Sequence, residues 1–197
     1  MRANRCRRRK DVPMPSPAAS TASVKNLLRR FRRSRNGSAA VEFALVAPMF
    51  FGLLFAIIEV ALMFFASQVL ETVTQDAARV VLTGQAQSGL VSTCNGAPCT
   101  QATFQSYVCS QVPALFNCNN IVTDVEAYPS GFSSIVLNSG SCTAASQYSP
   151  GTAGQIVVVR LSYAWPLYVT GLGFNIANMS GNQRCLSAAA AFQNEPY

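Results

Sequence analysis

The chain has 197 residues, half of them hydrophobic, with 15 basic residues against eight acidic and no histidine. That length allows one small domain plus a membrane segment, and the missing histidine removes the usual general base and the commonest metal ligand. The charge is concentrated: twelve of the basic residues precede Gly37 and only Asp11 opposes them, which leaves this arm at +11 and the rest of the chain weakly acidic.

A basic arm invites a nucleic-acid reading, but Phe31 is its only aromatic residue and it carries no DNA-binding motif. It runs directly into a hydrophobic segment, as the Lys/Arg-rich cytoplasmic flank of a membrane helix does. The expected partner of the arm is therefore the anionic lipid headgroup and not nucleic acid. The orientation that follows is N-terminus in the cytoplasm and C-terminus outside. Residues 1–22 are basic and then rich in Pro, Ala and Ser, a composition that buries no core and predicts disorder. Met14 is a second candidate start. Ser23–Arg33 is predicted as a short amphipathic helix, with Val24, Leu27, Leu28 and Phe31 sharing one face against the inner leaflet.

From Gly37 to Phe65 the sequence reads GSAAVEFALVAPMFFGLLFAIIEVALMFF, with Glu42 and Glu59 as its only charges. An apolar run of this length spans a bilayer core, which takes about 20 residues. Backbone amides cannot stay unpaired in lipid, so the run is predicted as a helix. A soluble core helix is usually amphipathic, whereas this one is apolar on every face for four turns. Pro48 removes one backbone bond and predicts a local bend, which partner helices tolerate in a membrane. Past Phe65 the helix is expected to continue: Val69, Leu70, Val73, Ala77, Val80 and Val81 recur at helical spacing, and Gly84 is a C-cap. The predicted boundaries are a leader over 1–37, a transmembrane helix over 38–66, an amphipathic extension over 67–84 and a periplasmic domain over 85–197.

A secretory signal peptide places its apolar core before the cleavage site. Here Gly37 precedes the apolar run, and Glu42 is the fifth residue after it. Gly37-Ser38-Ala39-Ala40-Val41-Glu42-Phe43 resembles a type IV prepilin processing site. The fuller string GSAAVEFALVAP, an AAR ending at Arg79 and the C-terminal NEPY resemble the TadE-like family of minor pseudopilins from the Tad (Flp-type) pilus machinery. The resemblance implies that a prepilin peptidase cuts between Gly37 and Ser38. It also implies that Glu42 serves subunit assembly, and that the partners are that peptidase, other pilin-like subunits and inner-membrane pilus assembly proteins. The residue chemistry points the same way. A cut before Ser38 creates an α-amino group about one helical turn from Glu42, largely cationic at neutral pH, and the two charges offset each other's desolvation. The alternative is a Glu42 that snorkels to the headgroups. Glu59 is on a different helical face; it either reaches the outer interface or pairs with a neighbouring helix.

Six cysteines follow the membrane segment: Cys94, Cys99, Cys109, Cys118, Cys142 and Cys185. An even number in an exported region predicts disulfides, and six allow 15 pairings. Cys94–Cys99 is a plausible short loop across the NGAP turn and Cys142–Cys185 a plausible long-range staple. No spacing matches a zinc knuckle. Residues 86–99 read as loop. A helix is predicted over Thr100–Val112, stopped by Pro113. Strands are predicted over Asn120–Tyr128, Phe132–Leu137, Gln155–Pro166 and Gln183–Phe192, with a turn-rich stretch over Ser139–Gly154. The expected fold is α+β, a disulfide-stapled antiparallel sheet against a long helix.

Asp124 and Glu126 form the only close acidic pair outside the membrane and read as a solvated strand edge. No phosphate loop or nucleophile elbow occurs, and no cofactor or metal is called for. The expected function is structural, a TadE-like pseudopilin at the bacterial inner membrane. The rival is an uncleaved, signal-anchored periplasmic binding domain; a tethered enzyme ranks last.

Overall fold

The computed structural model describes residues 37–135, 142, 146–169 and 175–197. The basic leader before Gly37, with the helix expected over Ser23–Arg33, lies outside the described residues, as do the end of the strand expected over Phe132–Leu137 and much of the turn-rich stretch after Ser139.

Helix α1 runs from Ser38 to Leu82. It ends where Gly84 turns left-handed at φ 73°, the conformation a helix-terminating glycine adopts without cost. In its outer part Met63, Ala66, Leu70, Val73, Ala77 and Val80 are buried. Their spacing alternates three and four residues, which keeps one seam turned to the same side. Thr74 is also buried there and its hydroxyl donates to the Leu70 carbonyl at 2.7 Å, so the seam carries no unpaired polar group at that point.

The stretch expected as loop over 86–99 instead holds a one-turn helix, α2 (Gln85–Ser88), and a 3-10 turn over Ser92–Cys94. Two left-handed glycines, Gly84 and Gly89, bracket α2, and the buried Ala86 accepts the Cys99 N–H at 2.8 Å. Helix α3 (Gln101–Gln111) begins with a capping box in which the Thr100 and Thr103 side chains each satisfy the other's backbone N–H. It stops as expected before Pro113, with Val112 extended.

Four strands form one sheet in the order β2-β1-β3-β4: β1 Ile121–Tyr128, β2 Gln147–Tyr148, β3 Ile156–Pro166 and β4 Gln183–Gln193. Strand β3 pairs antiparallel with both β1 and β4. Strand β2 pairs parallel with β1, so the sheet is mixed and not purely antiparallel as expected. The chain from Tyr128 to Gln147 is long enough to make the crossover that a parallel pair requires. A two-residue strand inside a turn-rich stretch carries no periodicity to reveal it. Residues Phe132–Ser134, expected to be strand, form a 3-10 turn opened by Gly131.

The sheet is sided. Ile121, Val125, Val157, Val159, Leu161, Tyr163, Trp165 and Leu186 belong to one core with the α1 seam and with Phe104 and Val108 of α3. Phe116 stacks edge-on against Tyr163 and Trp165 at the sheet's end. The opposite face is not a solvent face: Ile156, Val158 and Tyr128 form a second, smaller cluster. Three disulfides close the domain, Cys94–Cys99, Cys109–Cys118 and Cys142–Cys185. The first and third are the two pairs the spacing suggested, and the second ties α3 to the 3-10 turn that leads into β1.

The last residues lock the end of α1. Glu195 N–H donates to the Leu82 carbonyl at 3.0 Å, one of the carbonyls that a helix C-terminus leaves without a partner. The Tyr197 ring lies so close over Gly84 that a Cβ there would sit 2.4 Å from it. Asn194 is buried, and its amide donates to the carbonyls of Pro150 and Thr152 at 2.9 and 3.2 Å. Replacing Asn194 by Ala removes both bonds, leaving the Pro150 carbonyl to Gln87 Nε2 and the Thr152 carbonyl to the Gln155 N–H. The loss of two hydrogen bonds at a buried residue is expected to lower unfolding stability by about 2 kcal/mol, read as an earlier denaturation midpoint of the detergent-solubilised chain.

Candidate functional site

Residue by residue, α1 is two different surfaces. Gly37 stands immediately before the helix and Ser38 is its first residue. Glu42 follows one turn later, exposed. Val41, Phe43, Leu45, Val46, Met49, Phe50, Leu53, Phe55 and Ile57 are all more than half exposed. Little of this apolar stretch is buried against the rest of the chain. A soluble core helix of that composition would be covered by its neighbours. Among the described residues it is the one helix long and apolar enough to cross a membrane. Pro48 is inside the helix and exposed.

Glu59 has a partner that neither sequence-based alternative contained. Its carboxylate accepts the backbone N–H groups of Tyr168 and Val169, the second at 3.0 Å. Both donors belong to the loop that follows β3, more than a hundred residues on. Glu59 also stands four residues before Met63, one step down the buried seam of α1. Sequence reasoning placed Glu59 correctly as an anomaly in an apolar run. It missed Tyr168 and Val169, because a backbone donor carries no signature in the sequence.

The structure thus keeps the flagged residues in separate groups. Gly37, Ser38 and Glu42 lie together by adjacency at the start of α1. Glu59 meets the outer domain. The six outer cysteines are used up in three disulfides, and among the described residues no cluster of three or more His, Cys, Asp or Glu side chains is placed to hold a metal ion.

The Asp124 and Glu126 pair is not a solvated edge. Both carboxylates face Arg160 across the β1–β3 ladder, with Arg160 Nε 3.6 Å from Asp124 Oδ2 and Nη2 3.5 Å from Glu126 Oε2. Tyr128 Oη donates to Glu126 Oε2 at 2.6 Å and accepts from Arg160 Nη2 at 3.3 Å. Arg160 itself is buried. Burial raises the Asp124 carboxyl above its ordinary range, outweighing the guanidinium that lowers it, and the Glu126 charge adds to the rise. In the sequence Val157, Val159, Leu161, Tyr163 and Trp165 alternate with Val158 and Arg160, which places Arg160 on the other face of β3; the cover over that face has no such period.

The family model for TadE-like proteins matches residues 37–79. This segment is TadE-like. No curated protein and no solved structure matches the chain. The TadE-like match starts at Gly37, takes in Glu42, Pro48 and Glu59, and runs along the buried seam to Arg79. It does not reach the outer domain or the closing Asn194–Tyr197, whose contacts with Leu82 and Gly84 are those of a structural clasp.

Proposed function

We propose that the protein is a minor pseudopilin of the Tad (Flp-type) pilus assembly machinery, held in the bacterial inner membrane by α1 with its outer domain in the periplasm. The observation that carries the reading is the junction at Gly37. A glycine directly precedes a helix that is apolar and uncovered, with an acidic residue five positions on, and the TadE-like match begins at that glycine. The role is structural. A prepilin peptidase hydrolyses the Gly37–Ser38 bond on the cytoplasmic side, where the arginine-rich leader is retained. The released Ser38 amine is cationic at neutral pH. It stands one turn from Glu42, within the same chain or on a neighbouring subunit, and each charge reduces the cost of holding the other at the edge of the bilayer. The exposed apolar surface of α1 is then the face offered to lipid and to other pilin-like helices.

Glu42→Ala and Gly37→Ala separate the two steps. The Gly37→Ala chain is expected to keep its leader and to form no pili. The Glu42→Ala chain is expected to be cut and still to support pili poorly, well below the wild-type count by electron microscopy. Normal piliation with both variants would remove the assembly role and favour a signal-anchored periplasmic binding domain.

A further inference from the structure

The loop that follows β3 makes a contact that the assembly reading does not use. Leu167 is buried, Tyr168 is 82% exposed, and the N–H groups of Tyr168 and Val169 both end on the Glu59 carboxylate. Beyond Glu59 the helix is still apolar on its outer sides: Leu62, Phe64 and Phe65 are exposed at 44, 62 and 56%. The loop is therefore tied to α1 below the upper end of its apolar surface, about one and a half turns under Phe65.

Two lengths place that point in a bilayer. A hydrocarbon core takes about 20 residues of helix, and core plus headgroup layers take about 28 at ~1.5 Å each. Glu59 is the twenty-second residue of α1 and Phe65 the twenty-eighth. Ending the membrane at Glu59 would leave Leu62, Phe64 and Phe65 in water. Ending it at Phe65 puts Glu59 and its loop at the border between acyl chains and headgroups. Backbone N–H groups at that depth have little water to bond, and a carboxylate there is costly unless it has donors. The Glu59 contact meets both demands at once with charge-assisted hydrogen bonds. An exposed tyrosine on the loop and two exposed phenylalanines on α1 are the side-chain types of an interfacial belt.

We propose that the Leu167–Val169 loop is a membrane-seating tip: it enters the outer headgroup border of a phospholipid bilayer, tied to α1 by the Glu59 carboxylate, with Tyr168 as its lipid-facing side chain. The inference rests on the reading that α1 spans the bilayer. It makes Glu59 an intrachain tether that fixes how far the outer domain stands above the membrane.

The test uses the full chain in phosphatidylethanolamine–phosphatidylglycerol vesicles doped with phosphatidylcholine brominated either near the headgroup or deep in the chain. The single tryptophan, Trp165, is replaced by Phe, and reporters are introduced as Tyr168→Trp or Leu54→Trp. The reporter at 168 is expected to emit at shorter wavelength than in water and to be quenched most by the shallow bromines, the reporter at 54 most by the deep ones. If the reporter at 54 is quenched while that at 168 emits as in water, the seating is wrong and the spanning reading stands; the exposed tip then faces solvent or another protein. If the reporter at 54 escapes quenching, both fall. Amide hydrogen exchange of the otherwise unaltered chain in the same vesicles guards against damage from Trp165→Phe. The Tyr168 and Val169 amides are expected to be protected, and to lose that protection in Glu59→Leu while the Leu70–Val81 amides keep theirs. Unchanged protection in Glu59→Leu would overturn the tether.

Discussion

Removing the Cys142–Cys185 disulfide by Cys142→Ser with Cys185→Ser is expected to cost about 4 kcal/mol of unfolding stability, the largest loss among the three cystines. The reason is the length of chain each one closes. Cys142–Cys185 spans 43 residues, against nine for Cys109–Cys118 and five for Cys94–Cys99. In the chain-entropy account those shorter loops are worth about 2–3 kcal/mol each. The long one also ties Cys142, between β1 and β2 in the chain, to β4, one of the two edge strands of the sheet. Three double-serine variants compared by denaturant titration in one detergent would read the order directly; a Cys142–Cys185 variant no weaker than the other two would contradict it.

Arg160→Ala is expected to cost about 3 kcal/mol. Among the described residues the guanidinium is the cation that faces both carboxylates, and its loss leaves the largely buried Asp124 beside Glu126, whose side chain is 37% exposed. The Asp124 side chain is only 17% exposed, so solvent screens it weakly. The triple variant Arg160→Met, Asp124→Leu, Glu126→Leu removes the charges together and is expected to recover most of the loss, because a buried ion cluster replaced whole by apolar groups is close to neutral. Thermal unfolding of the two variants beside wild type makes the comparison. A triple variant as unstable as Arg160→Ala would contradict the charge account, and Arg160→Met alone, which keeps an apolar stem but not the charge, separates stem packing from charge.

What the sequence made legible was what repeats or stands against its surroundings. The α1 apolar run, the seam from Leu70 to Val81, the β3 alternation and the helix stopped by Pro113 each follow from a local period or a terminating residue. So did two of the three disulfides, because their spacing matched a turn and a long closure. The contacts that were not legible join residues far apart in the chain by groups without a sequence signature. Glu59 bonds to backbone N–H groups, Leu82 is capped by the N–H of Glu195, and β2 is two residues long. Arg160 shows the same limit from another side. Its place on β3 was readable, but whether that face met water or other chain depended on segments with no periodicity. Glu42 is the reverse case: its meaning comes from Gly37 and the arginines before it, all within a few residues.

The reading of this chain as a pseudopilin turns on one peptide bond. N-terminal sequencing and intact mass of the protein recovered from membranes of cells containing a prepilin peptidase test it most directly. The account predicts a chain that begins at Ser38, with the mass of residues 38–197 carrying three disulfides. A chain that still carries residues 1–37 in the presence of active peptidase would contradict it.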